Sequence, residues 1–278
     1  MMQNITQALH EAAQCFVNVT TTPRLDAEIL LAHVLSVQRS YLYTYPDYSL
    51  SMTEQNNFAA LVKKRVAGWP IAYLTGHREF WSLDLAVTPD TLIPRPETEL
   101  LVELILKKLP DVPLLVADLG TGSGAIALAL AHERPRWTIY ATDISSEALA
   151  VAKANAARLK IKNIIFPIGA WCSALPKLCF DIMVSNPPYI AENDPHLQQG
   201  ALPFEPSIAL VSGEDGLKDI QDIIYGARHY LKVGGSLFVE HGFTQAEPVC
   251  SKFLNAGYTH ILSYKDFSGL NRVTTGIF

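Results

Sequence analysis

Four consecutive residues, Asn186-Pro187-Pro188-Tyr189, carry the strongest chemical signal in this 278-residue chain. They follow directly on Phe180-Asp181-Ile182-Met183-Val184-Ser185, a largely apolar run suited to a buried strand. Two successive prolines fix φ and remove two backbone donors. The Asn186 side-chain oxygen and the Pro187 carbonyl could then both accept hydrogen bonds from one NH2 group. Such a pair suits a nitrogen whose lone pair is tied up by conjugation, as in an amide or an aromatic amine. Acceptors on both N–H bonds favour pyramidal geometry as positive charge grows, so they act more strongly in the transition state than before it. Tyr189 could pack flat against the planar group. Attack on an electrophilic methyl is the reaction this arrangement serves, with in-line placement supplying proximity. No general base is needed, because the alkylated nitrogen becomes acidic and loses its proton afterwards. Read alone, the motif is equally an Asn-Pro turn at a strand end.

A second constellation lies upstream. Leu114-Leu115-Val116-Ala117-Asp118-Leu119 runs into Gly120-Thr121-Gly122-Ser123-Gly124, and a helical pattern follows at once. Glycines there allow a tight turn and close approach of a ligand to the backbone N–H groups at the helix start. A dinucleotide loop has the spacing GxGxxG. Here the third glycine comes one residue early and Ala125 takes the dinucleotide position, so the form is D-x-G-x-G-x-G. Asp143 ends the next strand candidate, where a carboxylate can accept from a ribose diol or cap the following helix. A nicotinamide cofactor also fits an acid at this place. Trp171 follows a third candidate, and its ring could pack on an adenine or simply fill core or surface space. Just before it stands Ala170, at a place where an acid could bind an adenine amino group.

Elements must bring these positions together. From about residue 113 the pattern alternates strand and helix, as in an α/β fold with helices on both faces of a mostly parallel sheet. Strands are expected at 114–119, 137–142, 163–168, 180–185, 236–241, 259–264 and 271–277, which makes seven. Helices fit at about 97–109, 124–133, 145–159, 216–231 and 244–256. Ligands of such sheets sit at the carboxyl ends of the strands. Asn186, Gly120 and Asp143 should therefore share one crevice. Residues 1–76 read as a small helical domain, with helices at 3–14, 23–36 and 53–66. Residues 77–93 read as a β-hairpin linker, and 94–278 as the catalytic domain.

Composition narrows the partners. The net charge is -5 and the sequence contains 22 Lys and Arg against 27 Asp and Glu. A protein that grips a phosphate backbone usually shows a basic surplus. The longest basic run, Lys63-Lys64-Arg65, reads as the solvated face of a helix. No direct nucleic-acid partner is expected. The four cysteines, Cys15, Cys172, Cys179 and Cys250, form no metal-ligand spacing and read as buried, reduced thiols. No metal is expected. The start of the chain has no signal-peptide pattern and no apolar run spans a bilayer, so a cytoplasmic monomer is expected.

The chain closely resembles the HemK/PrmC family of protein-(glutamine-N5) methyltransferases that modify peptide chain release factors. The matching stretches are Arg24-Leu25-Asp26-Ala27-Glu28, Pro70-Ile71-Ala72-Tyr73-Leu74-Thr75-Gly76, Ile93-Pro94-Arg95-Pro96-Glu97-Thr98-Glu99, the glycine loop, Asn186-Pro187-Pro188-Tyr189-Ile190, Glu205-Pro206 and Gly213-Glu214-Asp215-Gly216-Leu217. Asn-Pro-Pro-Tyr by itself is shared with adenine-N6 DNA methyltransferases and with glutamine methyltransferases of ribosomal proteins. The Pro-Arg-Pro-Glu-Thr-Glu stretch and the helical N-terminal region are more specific. The resemblance implies a class I, Rossmann-like fold with S-adenosyl-L-methionine as cofactor and S-adenosyl-L-homocysteine as product. It implies transfer to the glutamine of a Gly-Gly-Gln motif in class I release factors. Asp118, Gly120, Thr121, Gly122, Ser123, Gly124, Asp143, Trp171 and Asn186 then hold the cofactor, with Asp118 at its methionine end. Asn186, Pro187, Pro188 and Tyr189 hold the substrate glutamine. Arg95, Glu97 and Glu205 either shape the pocket or form structural ion pairs.

Overall fold

A computed structural model describes residues 3–278. The chain forms two compact units. One comprises residues up to His77 with Gln199–Phe204, and the other comprises Arg78–Gln198 with Glu205–Phe278.

The first unit is helical: α1 (Ile5–Phe16), α2 (Pro23–Leu35), α3 (Arg39–Thr44), α4 (Met52–Val66) and α5 (Ile71–Thr75). The α1 start is a capping box. Gln7 N donates to Asn4 Oδ1 at 2.9 Å, and the Gln7 side chain accepts from Asn4 N at 3.1 Å. Its buried residues Ile5, Ala8, Leu9, Ala12 and Phe16 recur at helical spacing and form one face. Ser51 and Glu54 cap α4 in the same way. The expected helices correspond to α1, α2 and α4. The two others are six and five residues long, too short to show a helical period.

Two buried acids tie this unit together. Arg65 Nε donates to Asp26 Oδ2 at 2.9 Å, with side chains only 13% and 8% exposed. The basic run is therefore not a uniformly solvated face, because Arg65 turns inward to compensate a buried charge. Glu28 accepts from Arg24 and Arg39, both at 2.8 Å, and from Tyr43 at 2.6 Å. Burial pushes its carboxyl up, and the hydrogen bonds from Tyr43, Arg39 and Arg24 more than reverse this.

The second unit opens with a hairpin, β1 (His77–Phe80) and β2 (Leu83–Ala86). Its turn residues Trp81 and Ser82 have φ of 52° and 58°, the conformation whose twist matches paired strands. The hairpin ends at Ala86, and 87–93 contains a turn rather than more strand. Phe80, Leu83 and Leu85 are buried in the core of this unit.

The remaining elements are α6 (Glu99–Lys108), β3 (Leu115–Leu119), α7 (Ala125–Glu133), β4 (Thr138–Thr142), α8 (Ser146–Arg158), β5 (Ile164–Ile165), β6 (Phe180–Ser185), α9 (Lys218–Ala227), β7 (Leu231–Glu240), α10 (Ala246–Asn255), β8 (Thr259–Lys265) and β9 (Asn271–Ile277). The seven strands lie in the order β5-β4-β3-β6-β7-β9-β8, and β9 runs antiparallel to both its neighbours. One face packs Val116, Ile182 and Val184 against α6 and α7. The other packs Ala117, Met183 and Leu237 against α9 and α10. Period-two alternation along buried strands produces both layers.

The strand expected at 163–168 shrinks to Ile164–Ile165, with one further bridge between Asp143 and Ile168. Pro167 lies between them and supplies no backbone donor. Only Cys172 is fully buried; Cys15 and Cys179 are exposed and Cys250 is partly so. The reading of four buried thiols therefore holds for one. No helix of the described residues is long and apolar enough to cross a membrane.

Candidate active site

Strand order reverses between β3 and β6. The chain moves from β3 through β4 to β5 on one side, then returns to β6 and continues on the other. That switch point leaves a crevice at the strand ends. A cavity of about 220 Å³ opens there, lined by Gly120, Thr121, Gly122, Ser123, Asp143, Trp171, Asn186 and Pro188 among others.

The loop after β3 is held from several sides. Gly120 N and Thr121 N both donate to Thr142 O, at 2.9 and 2.8 Å. Gly120, Gly122 and Gly124 have φ of 75°, 56° and 88°, a region that costs glycine nothing. A Cβ on Gly120 would lie 2.7 Å from the Trp171 ring, whereas a Cβ on Gly122 would meet no protein atom within 4 Å. The loop is thus sealed on one side and bare where it faces the cavity. Gly124 lies off the cavity wall and starts α7.

Asp118 is also off the wall. It is fully buried beneath the loop, where Oδ2 accepts from Thr121 Oγ1 at 2.6 Å and from Ala127 N at 3.2 Å. Burial pushes its carboxyl up to about 7, against the opposing hydrogen bonds from Thr121 and Ala127. The acid expected at the ligand instead braces the loop and the first turn of α7 from behind. Asp143 does reach the cavity. Its Oδ2 accepts from Gly122 N at 2.8 Å and its Oδ1 from Ser145 N at 2.9 Å. It does not cap α8, since Ser145 does, accepting from Ala148 N at 3.0 Å. Two aliphatic side chains flank the same opening, Ile144 at 56% and Ile208 at 62% exposure.

The Asn-Pro-Pro-Tyr segment does not face the cavity as a unit. Asn186 and Pro188 line it, while Pro187 and Tyr189 lie off the wall. The chain beyond β6 stays out of helix, and alternate residues of an extended chain point opposite ways. Tyr189 packs with the Leu237 layer instead, and burial raises its phenol well above the ordinary range. Its carbonyl accepts from Gln245 Nε2 at 3.0 Å. Asn186 Nδ2 donates to Thr98 Oγ1 at 3.1 Å, and Asn186 Oδ1 is buried with no partner. A bare acceptor on a cavity wall costs free energy unless something occupies it.

Arg95 lines the cavity and donates to Glu205 Oε1 at 2.6 Å. Glu205 is buried and its Oε2 accepts from Ile93 N at 3.4 Å, so the pair fixes the 93–95 segment. Glu97 is exposed and lies off the wall.

Sequence comparison adds an independent line. Residues 7–76 match the PrmC N-terminal domain, and residues 96–201 match the methyltransferase small domain. A release factor glutamine methyltransferase of Coxiella burnetii (strain RSA 493 / Nine Mile phase I) is 51% identical, covering 98% of both chains. One from Escherichia coli (strain K12) is 49% identical, covering 92% of both. The chain belongs to the release factor glutamine methyltransferase family. A solved methyltransferase structure from Pyrococcus furiosus shares the fold, with a TM-score of 0.53 at 17% identity over 80% of this chain and 98% of that one.

Three residues escape the motif reading of this family member. Asn155 is fully buried in α8. Its Nδ2 donates to Ala86 O at 3.0 Å and to Ser123 O at 2.9 Å, and its Oδ1 accepts from Ala86 N at 2.8 Å. It stitches the hairpin to the glycine loop. An asparagine on the apolar side of a helix was the available signal. Thr98 is buried on the cavity wall and Glu240 is buried at the end of β7. Thr98 lies inside the Ile93-Pro94-Arg95-Pro96-Glu97-Thr98-Glu99 stretch, and Glu240 is an acid terminating an apolar run.

Proposed function

We propose that this chain transfers a methyl group from S-adenosyl-L-methionine to the side-chain amide nitrogen of the glutamine in a Gly-Gly-Gln motif of class I peptide chain release factors. The observation that carries this reading is the unpartnered Asn186 Oδ1 on the wall of the glycine-loop cavity. The cofactor fits what is there: positive-φ glycines, a carboxylate beside them, and open space in front of Gly122.

Gly120, Thr121, Gly122 and Ser123 would hold the cofactor through backbone groups, with Asp143 on the ribose and Trp171 and Ile144 flanking the base. When bound, it supplies an electrophilic methyl on a sulfonium centre. Asn186 Oδ1 accepts one N–H of the substrate amide. That hydrogen bond strengthens as the nitrogen loses conjugation and gains charge. Pro188 stiffens the wall that positions the planar group. The substrate proton leaves to solvent after transfer. Asp118 acts at one remove, keeping the loop in shape.

The protein acts in the cytoplasm as a monomer and makes no direct use of nucleic acid in this reading. Incubation with radiolabelled S-adenosyl-L-methionine and a Gly-Gly-Gln release-factor domain tests it. One methyl group on that glutamine, located by mass spectrometry, is the expected result. Labelling of duplex DNA or of a ribosomal protein, with an unmodified release factor, would overturn it.

A further inference from the structure

Ala170 leaves one end of the cavity without the acid that its cofactor calls for. Adenine carries an exocyclic amine, an NH2 donor at the edge of the ring. A carboxylate is the strongest acceptor for it, because a hydrogen bond to a charged oxygen is about twice as strong as a neutral one. Ala170 lines the cavity beside Trp171, and its methyl group accepts nothing. An amine enclosed there with no acceptor would lose the hydrogen bond it makes to water.

Three carboxylates line the cavity among the described residues: Asp90, Asp143 and Asp219. Both oxygens of Asp143 are engaged, by Gly122 N and Ser145 N. Asp90 sits in the turn before Thr91, and its Oδ2 accepts from Thr88 Oγ1 at 3.1 Å. Asp219 differs from both. It is partly buried in the first turn of α9, and neither of its carboxylate oxygens has a partner among the described residues. The adjacent Lys218 does not compensate it, because Lys218 Nζ pairs with Asp222 Oδ2 at 3.0 Å. Its backbone is fixed, with Asp219 N donating to Ser212 Oγ at 2.8 Å.

The packing of α9 places this carboxylate at the Ala170–Trp171 end. Gly226 lies against the segment that follows Trp171, where a Cβ would stand 3.4 Å from Cys172 Sγ. Asp219 precedes Gly226 by seven residues, so it lies on the same stripe of the helix about 10 Å nearer the N-terminus. Ile220, Ile223 and Ile224 hold α9 on the sheet in the same cluster as Cys172, with the Trp171 ring packed against it. Cys172 and Gly226 meet below the cavity floor; Trp171 on one segment and Asp219 on the other rise from that contact to the wall.

We propose that Asp219 is the adenine-binding carboxylate of this chain, accepting a hydrogen bond from the exocyclic amine of the cofactor in place of an acid at position 170. The inference rests on the cofactor reading given above. The acid reaches the base from the helix after the Asn-Pro-Pro-Tyr segment, not from the loop that carries Trp171. A carboxylate in a first turn also complements the positive end of its helix. That role is indifferent to the base, so the two are separable.

The test is calorimetric titration with S-adenosyl-L-homocysteine and with its deaminated analogue, in which hydrogen replaces the amine at purine C6. It needs no protein substrate and no turnover. Wild type is expected to prefer the adenosyl compound by about 30-fold, as for a hydrogen bond to a charged group. Asp219→Ala should bind the adenosyl compound about 30-fold more weakly and the deaminated one within about threefold of wild type, so that the preference disappears. A helix-terminal role alone would change both affinities by the same factor and leave the preference intact, and that result would overturn the proposal. A wild-type preference of threefold or less would overturn it as well, without recourse to any variant. Wild-type protein that binds neither compound would instead overturn the cofactor reading, and the inference with it.

Discussion

Asn155→Ala tests whether the glycine loop depends on a side chain that touches no ligand. Asn155 satisfies three backbone groups, Ala86 N, Ala86 O and Ser123 O, at 2.8, 3.0 and 2.9 Å. Water does not readily replace the side chain at Ser123 O, because Asn155 is fully buried and Ser123 is 2% exposed, whereas Ala86 is partly buried. Each buried polar group left unpaired costs about 1–3 kcal/mol. Some will find water in the space the side chain vacates, so a total of roughly 3–5 kcal/mol is expected. For a unit of this size that lowers Tm by about 6–20 °C. Ser123 O is freed in the middle of the cofactor loop, so cofactor affinity should weaken by about tenfold, the equivalent of 1.4 kcal/mol. Thermal unfolding followed by circular dichroism, with calorimetric titration of S-adenosyl-L-methionine, measures both. A Tm within about 2 °C of wild type, or unchanged cofactor affinity at a reduced Tm, would refute the assignment of Asn155 as the link between hairpin and loop.

Further consequences can be checked with the same assays. Gly120→Ala places a Cβ 2.7 Å from the Trp171 ring at a residue whose φ is 75°, so cofactor binding should be lost while the helical unit stays folded; full affinity would show that the loop tolerates another backbone path. Asn186→Ala should cut turnover by about 100-fold and leave cofactor affinity within a few-fold, since it removes an acceptor used mainly in the transition state; unchanged turnover would reject its role. Asp118 and Glu240 keep their protons to about 7 in the folded chain, well above their unfolded values, so the stability linked to them is full below about pH 4 and is lost as pH rises to 7. Asp118→Asn should accordingly flatten the fall in Tm between about pH 4 and 7, and a slope identical to wild type would contradict the burial of that charge.

What the sequence made legible was local. The glycine loop could be read because its spacing and its place between a strand and a helix are properties of a short segment. Asp143 and Asn186 could be brought to one crevice because parallel strands present their carboxyl ends together. Side-chain direction within those segments was not legible. Asp118 was assigned to the ligand and lies behind the loop, because one residue of strand register separates the two faces. Pro187 and Tyr189 left the cavity wall for the same reason. Links that cross the chain, such as Asn155 to Ala86 and Thr98 to Asn186, join positions whose proximity only the folded chain creates. Arg65 misled because a run of three basic residues does not reveal which of them sits over a buried acid.

The two buried acids of the site share a design. Asp118 and Glu240 are each closed off from solvent and each left with an oxygen unpartnered, and Asp118 accepts from the Thr121 hydroxyl at 2.6 Å. Thr121 itself meets the cavity from the glycine loop. A neutral core at these positions would hold the fold better, because an incompletely paired buried carboxylate destabilises it. The carboxylate does what a methyl group cannot. At Asp118 it fixes the direction of the Thr121 hydroxyl proton, and through that hydroxyl the shape of the loop. Burial pushes both carboxyls up to about 7, so the stability linked to them declines as pH rises toward 7. An active site that binds a weakly nucleophilic amide must present acceptors already aimed, since reorienting them during transfer would return the barrier that preorganisation removes.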